Sequence, residues 1–549
     1  MTAGTQTFGL PETLLTPRAL PPPPTRHAIL AFLLALTAIL QIGTAGWSDI
    51  HNGPEGIYAA VARDMVRNET WVPPHETAPP LFYWLLVGSC KIFGLSAAAM
   101  RVPVAVAMLA GVALTFLIGE RLAGWWRGFA AGLIHLCSLG SFVVAREVTP
   151  GPFQAALVAA VIYCALRGYQ KTSRRALWFC GVSLGSAFLY LTGGIWSLLL
   201  PVTIFAALSF LFREARLRFA KLLRWPQLLL FFAIVGSWHL WLASRGPNFF
   251  SQFAAQALLT PGEGVELPRF LCTQALSLCP ALLLILPGLL FSWRKIARPH
   301  EFAFADALPL FWIAFGFFPL LCSPARQDYQ AIVMWGGFAL AAAWAWERTP
   351  PALRFAGLGL ASIFGIAFAI LALTNAFGRL PLLPSLWFRG MTAGVGIVFV
   401  LACAVACFFL KRGHEERALA LILLAMVPVG LSVAEGTGRY SAYLSFAEAA
   451  RSMESSLPQG GEVYFEGTPN AGSSLSFYLD RPPIYLAPGG AVDPLEASLA
   501  TPDPTDRPPL FLIVPKRRVP YWQQRLTERF HMYHQLATCG DYVVISDRP

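Results

Sequence analysis

The sequence contains little charge. Asp, Glu, Lys and Arg together make up 13% of its 549 residues, whereas 56% of the residues are hydrophobic. Because average soluble domains carry about 25% charged residues, this composition excludes an ordinary water-soluble globule. Most of the apolar side chains must face lipid, so the sequence predicts an integral membrane protein.

Cysteine pairs and a cleavable leader are also missing. Nine of the ten cysteines lie in or beside apolar segments, and only Cys539 follows residue 435, so we expect no disulfide within the C-terminal region. The first 26 residues are rich in proline, including Pro21 to Pro24, and lead directly into a long apolar segment. A signal peptide has a shorter apolar stretch and a small-residue cleavage site, so we expect the first helix to remain as an anchor.

Long uncharged segments dominate the rest of the chain. Ala28 to Ala45 and Phe355 to Phe377, for example, contain no charged residue. As helices, segments of about 20 apolar residues cross the roughly 30 Å hydrocarbon core of a bilayer. The pattern predicts a mainly α, polytopic membrane fold of about thirteen transmembrane helices. They are centred near 27–46, 99–119, 128–145, 152–167, 176–193, 195–212, 226–244, 270–293, 304–322, 330–346, 354–376, 390–410 and 418–434.

The distribution of basic residues predicts the orientation. If the N-terminus is cytoplasmic, the inside loops hold 21 Lys and Arg and the longer outside loops hold nine. The positive-inside rule selects this arrangement. The formal net charge of +11 is spread over many loops, so we expect membrane lipid, and no nucleic acid, as a partner. The interpretation is a multi-pass protein of the plasma membrane, the inner membrane of a bacterium, with an extracytoplasmic C-terminus.

Three regions follow from this topology. Residues 1–26 form a Pro-rich cytoplasmic tail, 27–434 form the transmembrane domain with a large outer loop at 47–98, and 435–549 form an extracytoplasmic domain. In the last region, strand-like segments alternate with helix-like ones, which predicts a small α/β domain.

The large outer loop contains two predicted surface helices. Tyr58, Ala62 and Met65 share one helical face, while Arg63 and Asp64 lie elsewhere, as in an amphipathic helix at the membrane surface. The segment 80–94 is short, rich in aromatic residues and contains a lysine. It predicts a second helix lying in the membrane interface.

The order of motifs in this loop resembles a known family. E-x-x-Y-A-x-x-A-x-x-M, W-x-P, P-P-L-F-Y-W, K-x-F-G and A-x-R-x-P follow one another between Glu55 and Pro103. Further matches are R-x-V-T-P from Arg146, L-T-x-G from Leu191, R-Q-x-Y from Arg326 and S-S-L-x-F-Y-L-x-R-P from Ser473. Together they resemble the GT-C glycosyltransferases, nearest to the protein O-mannosyltransferases and the lipid A aminoarabinose transferases.

The resemblance implies a function. Members of this family transfer a sugar, hexosyl or pentosyl, from a polyprenyl-phosphate carrier to a lipid, glycan or protein acceptor outside the cytoplasm. Such chemistry needs a carboxylate near the acceptor and cations for the departing phosphate. The alternative is a catalytically lapsed relative that binds a lipid-linked sugar or a partner protein without turnover. A secondary transporter is disfavoured because the spans show no repeated halves and few intramembrane charges.

Four positions depart from the family pattern. Pro54 and Gly151 replace acidic residues, and Ala78 and Gly193 replace lysines. The family's histidine after the seventh span also has no counterpart between Arg245 and Arg269. Other groups stand near these positions in the chain: Asp49, His51, Glu55, His75, Glu76, Arg146, Glu147, Glu263, Glu266, Arg326 and Asp328.

Two carboxylates are the candidate bases. Glu55 keeps the family's second acidic position, and Asp49 precedes the missing acid by five residues, so a bend in the loop would return a carboxylate there. The competing interpretation for both is a solvated loop acid, or for Glu55 an acid that stabilises its helix N-terminus. His75 and Glu76 are weak metal candidates, because two adjacent residues need partners from other loops. A divalent metal is the one cofactor that the sequence leaves open.

The candidate donor-binding residues are Tyr58, Arg101, Arg146, Arg326 and Tyr329. Arginine matches phosphate geometry and stays charged, so Arg146 and Arg326 are predicted to bind the lipid phosphate. Their competing role is snorkelling to lipid headgroups. Arg101 lies inside the second span, where an ionisable group is usually paired or functional.

Overall fold

The computed structural model describes residues 23–73, 79–169, 174–220, 224–244, 264–296, 303–374, 386–454, 461–486, 509–528 and 533–547. This part of the chain is mainly helical and carries a small sheet near its C-terminus. The predicted fold class, a mainly α membrane protein with a C-terminal α/β domain, is confirmed.

The first half of the chain contains ten helices in the described ranges. They are α1 (Pro23–Gln41), α2 (Pro54–Arg67), α3 (Leu81–Phe93), α4 (Ala97–Ala123), α5 (Trp125–Cys137), α6 (Leu139–Phe142), α7 (Gly151–Tyr169), α8 (Arg175–Leu211), α9 (Arg213–Phe219) and α10 (Trp225–Ala243).

The helices of the second half lead into the sheet. They are α11 (Leu267–Ser277), α12 (Ala281–Ile296), α13 (Phe304–Cys322), α14 (Trp335–Arg348), α15 (Pro351–Leu373), α16 (Leu386–Lys411), α17 (Glu415–Leu424), α18 (Met426–Arg439), α19 (Ser441–Leu444), α20 (Ala447–Met453), α21 (Ser473–Tyr478) and α22 (Val519–Glu528). Short 3₁₀ helices cover Val144–Arg146, Asp328–Met334 and Lys516–Arg518.

Each predicted apolar segment is helical, but the number of full spans differs from thirteen. Within the described ranges, eight helices are long and apolar enough to cross a membrane, or ten if each of two bent pairs is one span. The predicted spans at 27–46 and 330–346 became shorter helices, α1 and α14. The spans predicted at 176–193 and 195–212 are two halves of α8, which breaks at Gly193 and Gly194.

The break in α8 has a local cause. Gly194 has φ +67° and ψ −158°, a left-handed backbone region that side chains with a Cβ rarely adopt. The halves on either side are each long enough to cross much of the hydrocarbon core at about 1.5 Å per residue. The sequence boundary between the two predicted spans therefore lies at this kink.

The C-terminal domain is a five-stranded mixed sheet in the order β2-β1-β3-β5-β4. Its strands are β1 (Glu462–Glu466), β2 (Ile484–Leu486), β3 (Leu510–Pro515), β4 (His534–Cys539) and β5 (Tyr542–Ser546). β1 pairs in parallel with β2 and β3, whereas β5 runs antiparallel to β3 and β4. Buried apolar residues lie on both faces of the sheet and pack against the helices that flank it.

Helix α2 lies between the membrane domain and the C-terminal domain. Ala62 and Met65 are fully buried, as the predicted apolar face requires. Arg63, predicted to lie on the polar face, is also buried and donates to the carbonyl oxygens of Phe477 and Leu479. On its other side, α2 is covered by α21.

Helix α3 is the second predicted surface helix. Its 13 residues extend about 20 Å, too short for a membrane crossing. One side packs Phe82, Leu86 and Cys90 against α2 and α4, while Ile92 and Phe93 are exposed at its end. This amphipathic placement agrees with the predicted short helix.

Candidate functional site

A buried ion pair joins the first outer loop to α4. Glu55 lies in the first turn of α2 and has no exposed surface. Arg101 donates to both of its carboxylate oxygens, from Nε at 2.9 Å and from Nη2 at 3.0 Å. The backbone N–H groups of His51 and Val148 donate to the same carboxylate at 2.8 and 3.1 Å. Four hydrogen bonds therefore hold Glu55 in place.

These partners keep Glu55 ionised. Burial alone would raise the pKa of the carboxyl, but the charge of Arg101 and the neighbouring His51 outweigh it, so the pKa lies below its usual range. A carboxylate with a lowered pKa and four donors is a weak proton acceptor. The candidate base Glu55 thus has the geometry of a residue that positions the loop.

Arg101 supports the loop in the same way. Its Nη1 donates to the carbonyl oxygens of Ala45 and Ser48 at 2.9 and 2.7 Å, and its Nη2 donates to the carbonyl oxygen of Asp49 at 2.8 Å. With the two bonds to Glu55, all five N–H groups of the guanidinium are engaged. In this conformation Arg101 has no donor left for a phosphate, contrary to its predicted role.

Asp49, the other candidate base, faces the C-terminal region. One carboxylate oxygen accepts from Arg451 at 2.7 Å, and the other accepts from the Ser441 hydroxyl at 2.7 Å. The side chain of Asp49 is 26% exposed. Asp49 therefore ties the first outer loop to the segment that follows α18.

His51 contacts the same pair from the side. Its Nδ1 lies 3.5 Å from a Glu55 oxygen, and its Nε2 is buried with no hydrogen-bond partner in the described part of the chain. Burial lowers the pKa of the imidazole more than Glu55 raises it, so His51 is neutral near pH 7.

Two further carboxylates lie beside this network. Glu147 follows Arg146 in the loop before α7, is partly buried and makes no hydrogen bond through its side chain to a described residue. Asp328 begins the 3₁₀ helix 328–334, and its Oδ1 is buried without a partner among the described residues. Burial, followed by the charge of Glu55, raises the pKa of Glu147 to about 8, and Asp328 adds to the increase.

Tyrosines from three elements meet next to these acids. The hydroxyl groups of Tyr58 and Tyr329 are 3.2 Å apart, and their rings pack edge to face. The ring of Tyr83, on α3, lies 5.8 Å from that of Tyr58. Burial raises the pKa values of Tyr58 and Tyr329, so both are neutral hydrogen-bonding groups at physiological pH. The structure places Tyr58 and Tyr329, two of the candidate donor-binding residues, next to each other.

The two arginines predicted to bind phosphate differ in their surroundings. Arg146 donates through Nη2 to the carbonyl oxygen of Thr44 at 2.7 Å and makes no other hydrogen bond to a described residue. Arg326 donates through Nε, Nη1 and Nη2 to the carbonyl oxygens of Leu320, Val265 and Leu321. Arg326 thereby caps the end of α13, whereas Arg146 lies beside His51 and Glu55 with donors to spare.

Packing explains two of the departures from the family pattern. An added Cβ at Gly151 would clash with the carbonyl oxygen of Tyr329. At Gly193 it would clash with the Ser197 hydroxyl and the Gln154 amide. In this backbone an acid at 151 has no room beside the carbonyl oxygen, whereas a side chain at 193 requires the Ser197 and Gln154 side chains to move. Pro54 takes the first helical position of α2, where its missing N–H costs nothing.

A metal site of the predicted kind has no support in the described residues. No group of three or more His, Cys, Asp or Glu side chains among them is arranged to hold an ion. The weak candidates His75 and Glu76 lie outside the described residues, as does Glu263.

Several features of the site were missed or undervalued by the sequence analysis. The sequence analysis gave no role to Val148 or Tyr83, although both lie in quoted motifs, and Gln154 lies in none. Glu147 was named only as one of several nearby acids. Its position next to the R-x-V-T-P motif was the available signal.

Comparisons with known proteins agree with this architecture. The family model described as dolichyl-phosphate-mannose-protein mannosyltransferase matches residues 77–241. A curated relative, undecaprenyl phosphate-alpha-4-amino-4-deoxy-L-arabinose arabinosyl transferase 2 of Proteus mirabilis (strain HI4320), is 25% identical over 210 residues. That alignment spans 36% of this chain and only 37% of the relative.

Solved structures extend the similarity to nearly the whole chain. ArnT from Cupriavidus metallidurans in the apo state superposes with a TM-score of 0.73 at 18% identity, covering 95% of this chain and 98% of that one. Its structure bound to undecaprenyl phosphate gives 0.72 at 19% identity, covering 94% and 97%. The chain therefore has the fold of ArnT.

Proposed function

We propose that this protein is a membrane glycosyltransferase that moves a sugar from a polyprenyl-phosphate carrier to a lipid, glycan or protein acceptor. The matched segment 77–241 and the aminoarabinose transferase relative support the activity. The ArnT structure with undecaprenyl phosphate supports a polyprenyl-phosphate lipid as the partner. We further propose that the reaction takes place on the extracytoplasmic face of a bacterial inner membrane.

One observation carries this proposal. Glu55, Arg101 and the backbone of Val148 lock together the first outer loop, the start of α4 and the loop before α7. At this junction lie the guanidinium of Arg146, bonded only through Nη2 to Thr44, and the carboxylate of Glu147, which makes no hydrogen bond to a described residue. Sugar transfer from a phosphate needs a cation for the departing phosphate and a proton acceptor for the attacking group.

Different residues of the chain bind the phosphate, bind the sugar or acceptor, and position these groups. Arg146 retains N–H groups that match two phosphate oxygens, and it is the proposed phosphate ligand. Tyr58 and Tyr329 offer neutral hydroxyl groups for the sugar or the acceptor. Glu55 and Arg101 position these groups, and Asp49 holds the C-terminal region over them.

The test is release of polyprenyl phosphate. Purified protein in lipid nanodiscs is incubated with undecaprenyl-phosphate sugars of pentose and hexose type, together with membrane lipid, glycan and protein acceptors. We expect release with at least one donor, and loss of most of it in Arg146→Met. Arg517→Met, at an exposed arginine of the C-terminal domain, is the control that retains activity.

A second candidate function is binding of a lipid-linked sugar without turnover. It is favoured by the packing at Gly151, which leaves no room for the acidic side chain of the family pattern. Saturable donor binding with no release from any donor would establish this lapsed form and refute the transferase.

A further inference from the structure

Glu147 differs from the other acids of the site in what its carboxylate contacts. Glu55 accepts four hydrogen bonds, and Asp49 is paired with Arg451 and Ser441. The side chain of Glu147 makes none to a described residue, although it is partly buried. A partly buried carboxylate with no hydrogen-bond partner in the described part of the chain is available to a ligand or a proton.

The backbone of Glu147 is fixed on both sides. The next residue, Val148, donates its N–H to Glu55, and the N–H of Thr149 donates to the Glu147 carbonyl oxygen at 2.7 Å. The preceding residue, Arg146, is anchored to the carbonyl oxygen of Thr44. The backbone that carries the Glu147 side chain is therefore held in place before any substrate arrives, as the support of a catalytic group requires.

Charged groups face Glu147 from each neighbouring element. Glu55 of α2 and Asp328 of the 3₁₀ helix 328–334 disfavour its ionised form, whereas Arg101 of α4 favours it. The largest effect is burial, and together these raise its pKa to about 8. A base with a pKa near the working pH combines an available lone pair with a strong tendency to take a proton.

We propose that Glu147 accepts the proton of the acceptor group during sugar transfer, an assignment that rests on the proposed glycosyltransferase function. The acceptor oxygen or nitrogen attacks the anomeric carbon while its proton passes to the Glu147 carboxylate. The bond from the anomeric carbon to the phosphate oxygen breaks, and its electron pair stays on the polyprenyl phosphate. Arg146 stabilises the negative charge that develops there.

With this assignment, Asp328 is a positioning residue, and its substitution is expected to shift the pH profile of turnover. Its charge is one of the causes of the raised pKa of Glu147. Removing that charge in Asp328→Asn lowers the pKa of Glu147, so the base becomes ionised at lower pH. A structural role of Asp328 would change the amount of active protein and leave the pH profile unmoved.

The test follows donor turnover against pH in nanodiscs. We expect the kcat of the unaltered protein to rise with pH through an ascending limb near 8. Glu147→Gln is expected to lose about 10²-fold or more in kcat, together with that limb, while KM for the donor stays within about threefold. Asp328→Asn is expected to shift the limb to lower pH. Glu435→Gln, an exposed acid paired with Arg439, is the matched control.

The outcomes distinguish failure of the base assignment from failure of the proposed transferase function. If the unaltered protein turns over no donor, both the transferase function and the base assignment are refuted. If it turns over and Glu147→Gln keeps kcat within about threefold, only the assignment falls. An ascending limb in the acid range that disappears in His51→Gln would replace Glu147 by His51 as the proton acceptor.

Discussion

At the scale of single residues, Arg101 and two backbone N–H groups occupy the carboxylate of Glu55, whereas the carboxylate of Glu147 makes no hydrogen bond to a described residue. Glu55 and Arg101 are almost fully buried, and the desolvation of each is offset only by its partner and by backbone hydrogen bonds. Breaking a buried pair leaves one charge uncompensated, which is far more costly than losing an exposed pair.

Glu55→Gln is therefore expected to destabilise the protein by about 3–5 kcal/mol, because Arg101 is left buried without its counter-charge. Thermal unfolding in detergent measures the effect. Arg439→Gln, which breaks the exposed pair with Glu435, is the control and is expected to change stability by less than about 1 kcal/mol. Equal effects of the two substitutions would contradict the structural importance of the pair.

The same pair predicts a dependence of stability on pH. The folded pKa of Glu55 lies below its unfolded value, so the folded state binds fewer protons in the acid range. Its stabilisation is fully present above the unfolded pKa of about 4.3 and is lost as pH falls through the lower folded value. Unfolding temperatures measured from pH 6 downwards should fall more steeply for the unaltered protein than for Glu55→Gln. Parallel curves would argue against an ionised Glu55.

At the scale of elements, α7 begins against the 3₁₀ helix 328–334. Gly151 contacts the carbonyl oxygen of Tyr329 so closely that a Cβ does not fit. Packing of α7 against the 3₁₀ helix 328–334 therefore requires the glycine at 151, which departs from the family pattern. This contact also sets the distance between the loop that carries Glu147 and the helix that carries Asp328.

Gly151→Asp, which restores the family residue, is expected to lower stability by about 1–3 kcal/mol and to reduce donor turnover, because the 3₁₀ helix must move. Thermal unfolding and polyprenyl phosphate release provide the two measurements. Gly359→Ala is the control, since nothing lies within 4 Å of the added Cβ in α15. A rise in turnover for Gly151→Asp would show that the site tolerates the family arrangement.

The contact between α2 and α21 is also an element-scale feature. Arg63 is buried and donates to the carbonyl oxygens of Phe477 and Leu479, while Arg67 on the same helix pairs with the exposed Asp480. The first contact holds the C-terminal domain over the outer loop, and the second lies in solvent.

Arg63→Met is expected to loosen the C-terminal domain, because two buried carbonyl oxygens lose their donor. Limited proteolysis of the intact protein should then cut between α18 and β1 several-fold faster. Arg67→Met removes a charge from the same helix and should leave the cutting rate unchanged. Unaltered proteolysis of Arg63→Met would show that other contacts hold the domain.

At the scale of the whole molecule, the orientation in the membrane decides which compartment holds the site. The loop after α2 and the C-terminal domain lie on the same side of the fold, because α2 packs directly on α21. The turn after α16, near Gly413, is predicted to lie on the opposite, cytoplasmic face.

A cysteine placed at Asn68 should react with a membrane-impermeant thiol reagent added to intact cells, whereas one at Gly413 should react only after the membrane is opened. Labelling of the unaltered protein measures the background reaction of the exposed residues Cys272 and Cys322, and this background is subtracted. Labelling at Gly413 but not at Asn68 in intact cells would invert the topology, and an extracytoplasmic transfer reaction would then be excluded.

The sequence by itself determined the helices, their order and the presence of the C-terminal sheet. Hydrophobic length, glycine breaks and turn residues act over a few positions, so they can be identified along the chain. β4 was not identified from the sequence, since His534 to Cys539 is short and half of its residues are polar. The number of full spans also differed, because bends and short helices depend on neighbouring packing.

Only the tertiary structure decided which acid is free. Glu55 and Glu147 look alike as loop carboxylates in the sequence, but the partners of Glu55 come from residues 46 and 93 positions away. Such distant hydrogen bonds and the burial that accompanies them set the ionisation of each group, and neither follows from local pattern. The chain specifies its helices locally, whereas the chemistry of its acids arises where those helices meet.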